Sequence, residues 1–101
     1  MEATIRKDGE RKVTLILDGR FDTSVTQQTD KEVEPLFSYE GYEVVIDCSR
    51  LEYISSSGLR LLMAINQRCC ANHCELFIKG LREEVYDVFK TTGFVHLFDF
   101  I

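Results

Sequence analysis

The part of this chain with the most chemical potential is Ser55-Ser56-Ser57-Gly58, three hydroxyls in a row followed by a glycine. It stands between an apolar run, Val44-Val45-Ile46, and a long helical pattern. A serine at such a join accepts a hydrogen bond from an unpaired amide of the first helical turn. Those amides and the helix dipole also favour negative charge. One cap uses one serine, so three consecutive hydroxyls exceed what capping needs. The surplus points to a phosphate acceptor or an exposed polar contact. A phosphoryl group there would add about −1.5 to −2 of charge beside the helix amides.

Other chemistries fit the sequence less well. A serine hydrolase needs a base and an oxyanion hole beside its nucleophile. Ser57 lacks the G-x-S-x-G context of a nucleophile elbow, and the two histidines, His73 and His96, are not placed near it by the sequence. No phosphate-loop or dinucleotide glycine pattern is present. The chain therefore reads as a non-enzyme. Its four cysteines are Cys48, Cys69, Cys70 and Cys74. Cys70-x-x-His73-Cys74 gathers three ligand types on about one helical turn, but a structural zinc site wants two separated pairs, and only Cys48 is left to complete one. Cys69 falls in an apolar stripe, where a thiol behaves as a small buried hydrophobe. His73 reads as a helix-end residue. No metal and no cofactor are expected.

With 101 residues, 45% of them apolar, the chain is long enough for one domain with a real core, spanning residues 1–101. No run approaches the length of a membrane span, and the N-terminus lacks the apolar stretch of a signal peptide, so a cytoplasmic protein with reduced thiols is expected. Net charge is −5, with acids and bases interspersed. Binding to a nucleic-acid backbone needs a basic patch, so the expected partners are other proteins and not nucleic acid.

The elements that must hold the serines can be read in order. Residues 3–7 and 12–17 form two strand patterns around Asp8-Gly9, a hairpin cue. The second strand runs out at Asp18-Gly19-Arg20-Phe21-Asp22. A helix is expected from near Ser24, where Ser24-x-x-Gln27 fits a capping box. Val25, Thr29, Val33 and Leu36 lie at helical spacing, and Pro35 should end or kink this helix around Glu34. A third strand is expected at about 43–48, its continuous apolar run typical of a parallel strand covered on both faces. A helix follows over about 57–72. Its buried stripe would be Gly58, Leu62, Ile65 and Cys69, its wet side Arg60, Gln67, Arg68 and Asn72, with Leu61 and Met63 partly covered. A fourth strand at 75–79, a turn at Gly80 and a helix over about 82–91 complete the pattern. Gly93 acts as the stop. The apolar tail from Phe94 to Ile101 must cover something, as a short strand or a docked segment.

The order β-β-α-β-α-β-α predicts an α/β fold. Its sheet is mixed and mostly parallel, with four strands and right-handed crossovers. The parallel strands would deliver Arg20 to Thr23, Asp47 to Ser57 and Lys79 to Arg82 to one edge, where sites in open sheets lie. Asp22 would then stand near the serines. Asp47 reads as structural, closing the turn after strand three through its carboxylate.

Asp47-x-Ser49-x-Leu51-x-x-Ile54-x-Ser56-Ser57-Gly58-Leu59 resembles the signature of the STAS domain, the fold of bacterial anti-anti-sigma factors. The likeness runs from the strand-two exit, Gly19-Arg20-Phe21-Asp22, to the Gly93 region. It implies a single STAS-like domain in which Ser57, immediately before the glycine, is the phosphorylation switch, with Ser56 as the alternative acceptor. It also implies that Asp22 lies beside the phosphosite. The surroundings that contact a partner would be Asp22, Tyr53, Ser55, Ser56, Gly58 and Arg60. The unmodified domain would bind an anti-sigma factor that is also a serine kinase, freeing a sigma factor, and a phosphatase would reverse the modification. The family usually has aspartate two residues before the switch, and this chain has Ser55. That departure favours an alternative: a STAS interaction or ligand-binding module without a phosphorylation switch, such as a regulatory subunit of a transport system.

Overall fold

A computed structural model describes residues 1–101. The chain begins with a hairpin of β1 (Glu2–Gly9) and β2 (Lys12–Phe21), paired antiparallel. Its turn falls at Glu10 and Arg11, two residues later than the Asp8-Gly9 cue suggests. Asp8 is held in the strand instead, because its carboxylate accepts bonds from Arg6 Nε at 2.6 Å and from the Thr14 hydroxyl. The misfit appears as a register shift between Lys7 and Gly9.

Three further strands follow in parallel: β3 (Glu43–Ile54), β4 (Glu75–Lys79) and β5 (Asp99–Phe100). The sheet order is β1-β2-β3-β4-β5, so spatial order repeats chain order. Right-handed crossovers in one constant direction put every connecting helix on the same face of the sheet. These helices are α1 (Thr26–Glu32), α2 (Ser56–Ala71) and α3 (Glu83–Thr91). Between the layers lies one core of 21 buried residues. Val13, Leu15, Leu17, Val44, Ile46, Leu76 and Ile78 come from the strands, and Leu59, Leu62, Ile65, Val85 and Phe89 from the helices. No helix is long and apolar enough to cross a membrane.

The sheet has five strands where the sequence pattern suggests four. The fifth is the apolar tail. Phe98 is buried with its ring edge-on to Phe89, 5.8 Å between centroids, and the Ile101 amide donates to the Ile78 carbonyl at 3.0 Å. The tail therefore closes the home sheet.

Strand β3 is twice as long as expected, running through to Ile54. Two extra residues are absorbed where its pairing with β2 shifts, between the partners of Ile16 and Asp18 and between those of Gly19 and Arg20. Each bulge resets the alternation, so the inward residues become Cys48, Leu51 and Ile54, spaced by three instead of two. Asp47 serves the first bulge: its Oδ1 accepts from the Ser49 amide at 3.0 Å and the Ser49 hydroxyl at 2.7 Å. The carboxylate closes a local loop as the sequence suggests, but inside the strand and not at its end. Gly80, at φ +77°, packs against this bulge, where a Cβ would come within 3.1 Å of Ser49 Cβ.

The first helical segment also starts differently from the capping-box reading. Asp22, not Ser24, is the cap. Its carboxylate accepts from the Ser24 amide at 3.0 Å and opens a 3₁₀ turn over Thr23–Val25 before α1 begins at Thr26. Pro35 sits at the start of a second 3₁₀ turn, Glu34–Ser38, where its missing amide leaves nothing unpaired. In α2, Leu61 is buried and not merely flanking, while Met63 is partly covered. His73 ends this helix in the left-handed region, φ +62°. The His73 amide bonds the Cys70 carbonyl at 3.1 Å and the Cys74 amide bonds the Cys69 carbonyl at 2.9 Å, the paired bonds of a Schellman stop.

Candidate functional site

The exits of β2 and β3 are locked together by one main-chain bond, from the Ser55 amide to the Phe21 carbonyl at 2.8 Å. This brings the start of α2 against the turn that follows β2. Ser55 is the cap of α2. It is extended (φ −87°, ψ 170°), and its Oγ accepts from the Gly58 amide at 3.1 Å. Ser55 is buried, Ser56 is exposed and Ser57 is half-buried. The three hydroxyls thus have three different fates, set by the change from strand to helix backbone between them.

Ser57 Oγ is the hub. It lies 3.0 Å from Ser55 Oγ, 3.1 Å from Thr26 Oγ1 and 3.2 Å from Thr23 Oγ1. A hydroxyl has one proton, so Ser57 donates to only one of these oxygens. Ser55 Oγ already accepts from the Gly58 amide and is free to donate to Ser57. Thr26 Oγ1 has one proton to share between the Asp22 carbonyl at 3.2 Å and Ser57 Oγ, and donates to one of them at a time. The geometry assigns Ser57 as a donor to Thr23. All members of the cluster are neutral.

Behind the cluster the packing is tight. A Cβ placed on Gly58 would come within 2.9 Å of Ile54 Cγ1 and 3.1 Å of Cγ and Cδ1 of Phe21. Glycine at this position lets α2 start directly on the two strand exits. In front of the cluster a cleft of about 430 Å³ opens between α1 and α2. Thr23, Thr26, Gln27 and Asp30 form one wall, and Ser57, Arg60 and Leu61 the other.

The residues singled out from the sequence are only partly brought together. Ser57 and Arg60 share the cleft; Ser55 and Gly58 support it from behind. Asp22 stands at the β2 exit, but its carboxylate points along its own turn, bonded to the amide and hydroxyl of Ser24. The Ser24 hydroxyl holds that carboxyl below the usual carboxylate range. Tyr53 does not line the cleft. It is exposed at the end of β3, opposite Arg20, whose guanidinium lies 4.5 Å from the ring centroid. Thr26 is the site residue the sequence reading misses. Its signal was a run of hydroxyls, Thr23-Ser24-x-Thr26, directly after a strand exit.

The other reactive side chains lie elsewhere. His73 is at the far end of α2, and His96 lines a separate hollow with Tyr86 and Phe100. No His, Asp or Glu side chain hydrogen-bonds Ser57 Oγ. Cys48 and Cys69 are buried, and burial pushes both thiols up to about 12. No group of three or more His, Cys, Asp or Glu side chains is placed to hold a metal ion.

The site is thus a hydroxyl-rich helix start at the exits of the parallel strands of a two-layer α/β fold. Residues 4–99 match the family described as Mlab, STAS domain, and the chain belongs to that family. It is 30% identical over 82 residues to BtrV of Bordetella bronchiseptica, named as an anti-sigma factor antagonist; the match covers 81% of this chain and 71% of that protein. Among solved structures it resembles TM1081 of Thermotoga maritima, described as a putative anti-sigma factor antagonist, with a TM-score of 0.83 and 17% identity over 97% of this chain and 84% of that one. It also resembles the Bacillus cell fate determinant SpoIIAA in its phosphorylated form, with a TM-score of 0.72 and 15% identity over 99% of this chain and 91% of that one. At these identities the structural likeness shows the fold alone, and the family rests on the STAS match and on the relative named as an anti-sigma factor antagonist.

Proposed function

We propose that this chain acts as one cytoplasmic domain, residues 1–101, that binds an anti-sigma factor and is switched by phosphorylation of Ser57. The partner would be an anti-sigma factor with serine kinase activity, and a phosphatase would restore the unmodified form. The observation that carries this reading is the separation of the three serines. Ser55 is spent on the helix cap and Ser56 is exposed, whereas Ser57 lines an open cleft at the first turn of α2. Charge placed there costs the fold little, because helix amides and dipole favour it. At an interface the same dianion opposes acidic groups and crowds close contacts. The modification would act on binding more than on folding. Asp22, Tyr53, Ser56 and Arg60 are the proposed partner contacts, with Ser55 and Gly58 supporting the site from behind.

A second reading has its own observation. The cap that faces Ser57 is a neutral serine, and every oxygen touching Ser57 Oγ belongs to a hydroxyl. An unphosphorylated STAS module, for instance a regulatory subunit of a transport system, fits such a site.

Purification from the native host with phosphatases inhibited, followed by fragment mass spectrometry, separates the two. Phosphate on Ser57, absent from Ser57→Ala, supports the switch, and Ser57→Asp should then weaken binding to the anti-sigma partner. A chain that stays unmodified across growth and stress conditions, and that the partner kinase does not label, leaves the second reading.

A further inference from the structure

Ser57 Oγ is enclosed on most sides. Ser55 Oγ and the Gly58 backbone close it toward the core, and Thr23 and Thr26 stand across from it. The open direction is the cleft between α1 and α2, about 430 Å³, ample for a phosphoryl group. Arg60 lies three residues along α2 from Ser57, a spacing that puts both on one face of the helix, and it lines the same cleft. The exposed Arg60 guanidinium makes no salt bridge within the chain.

Building on the phosphoacceptor reading, we propose that a phosphate on Ser57 turns into the α1–α2 cleft and is held there by the Thr23 and Thr26 hydroxyls and the Arg60 guanidinium. The modification would then be read on the α1 face as well as at the start of α2. In the transfer step the γ-phosphoryl group of a nucleoside triphosphate passes to Ser57 Oγ. The bond to the nucleoside diphosphate breaks, the diphosphate leaves, and the Oγ proton goes to a base. No carboxylate or imidazole of this chain contacts Oγ, so the kinase supplies that base. Once Oγ has no proton, Ser55 can still donate to it. Thr23 no longer receives a bond and turns its own proton to a phosphate oxygen. Thr26 can swing from the Asp22 carbonyl to do the same.

The charged groups lining the cleft are Arg60 from α2 and Asp30 from α1, and Asp22 stands close by in the β2–α1 turn with its carboxylate bonded to Ser24. Arg60 favours the dianion, and the two carboxylates oppose it. The arrangement predicts how the phosphate titrates, and that can be measured without the natural kinase. Phosphoserine is placed at position 57 of the full chain during synthesis, and the phosphorus NMR signal is followed with pH. An unstructured phosphoserine peptide loses its last proton near pH 6. The folded protein should titrate about half a unit or more lower, since hydrogen bonds and a nearby cation favour the charged form. Arg60→Gln and Thr26→Val should each move the midpoint back up, Thr26→Ser should leave it in place, and Asp30→Asn should lower it further. Arg68→Gln, at the far end of the same helix and bonded to Glu34, should do nothing. A phosphate that titrates like the free peptide and ignores Arg60→Gln overturns the proposal. That failure leaves the switch itself standing, whereas an unmodified Ser57 in the native host removes the switch and leaves the titration result intact.

Discussion

Gly58→Ala is the most direct test of how the site is built. The residue is the third of α2 and has an ordinary helical backbone, so on helix propensity alone alanine should stabilise the protein by about 1 kcal/mol. Packing opposes this. The new methyl would lie 2.9 Å from Ile54 Cγ1 and 3.1 Å from two atoms of the Phe21 ring. Ile54 is 2% exposed and Phe21 0%, so neither can yield without moving its neighbours. Overpacking of this kind costs about 1–3 kcal/mol. The central value less the helix gain leaves a net loss of about 1 kcal/mol. For a domain of this size that lowers the thermal midpoint by roughly 4–8 °C. Calorimetry or thermal circular dichroism reads it directly. The reasoning also predicts rescue: in a Phe21→Leu background the smaller side chain makes room, so the two changes should couple favourably by roughly 0.5 kcal/mol or more. A Gly58→Ala protein as stable as the parent, with additive behaviour in the double variant, would refute the claim that α2 is seated on Phe21 and Ile54.

Four further outcomes follow from the same geometry. Ser55→Ala removes the acceptor of the Gly58 amide and should cost about 1 kcal/mol in urea unfolding, with Ser55→Asp retaining most of the cap; a neutral Ser55→Ala would show that the cap bond carries no weight. Hydrogen bonds from Arg6, Ser24 and Arg68 hold Asp8, Asp22 and Glu34 below the usual carboxylate range. Folded pKa values that are depressed give stability that is present above about pH 4 and lost as pH falls through them. Unfolding measured from pH 7 to 2 should therefore be flat at first and fall below about pH 4, less steeply in Asp22→Asn. At pH 8 iodoacetamide should label exposed Cys70 in the folded protein and reach Cys48 and Cys69, whose thiols burial pushes up to about 12, only in denaturant. Peptide mapping that finds Cys48 labelled as fast as Cys70 would contradict the packing of β3. Phe98→Ala should cost roughly 3 kcal/mol, because the ring is buried against Phe89; a small loss would mean that the tail does not complete the home sheet.

Much of this fold was legible because local signals agreed with one another. The apolar run Val44-Val45-Ile46 is buried at every position, and the stripe of Leu62, Ile65 and Cys69 faces the core as its spacing suggests. The parallel direction of β2, β3 and β4 followed from the strand-helix-strand spacing, which needs no side-chain detail. What escaped notice escaped for definable reasons. The second half of β3 has inward residues every third position, because two bulges break the alternation that identifies a strand. The Asp8-Gly9 turn cue was outweighed by a carboxylate bonded across the hairpin to Thr14. Ser24 lost the cap to Asp22 because both residues fit the role, and only the path of the chain after Phe21 decides between them. The tail gave its hydrophobicity but not its pairing, since a strand of two residues has no period to read.

The site shows the same division between what is local and what is not. Ser55, Ser57 and Gly58 belong to one short segment, and their roles follow from the passage out of a strand into a helix. Thr23 and Thr26 reach Ser57 from 34 and 31 residues away, through a parallel pairing that no local pattern states. Their arrival makes the site lopsided. Toward the core Ser57 rests on the rigid contact of Gly58 with Phe21 and Ile54. Toward solvent it is bonded to a 3₁₀ turn of three residues and a helix of seven, which bury little beyond Thr29. Helices this short are marginal by themselves and depend on their contacts. A change at Ser57 that rearranges those hydroxyl bonds therefore meets little resistance in front and much behind. Its effect should spread into the turn and α1, while the sheet and the rest of α2 stay in place. Amide exchange in Ser57→Ala tests that asymmetry without any phosphate. Faster exchange confined to residues 23–32 is the expected result, and uniform loosening across α2 would show that the wall behind the serine is not the rigid side.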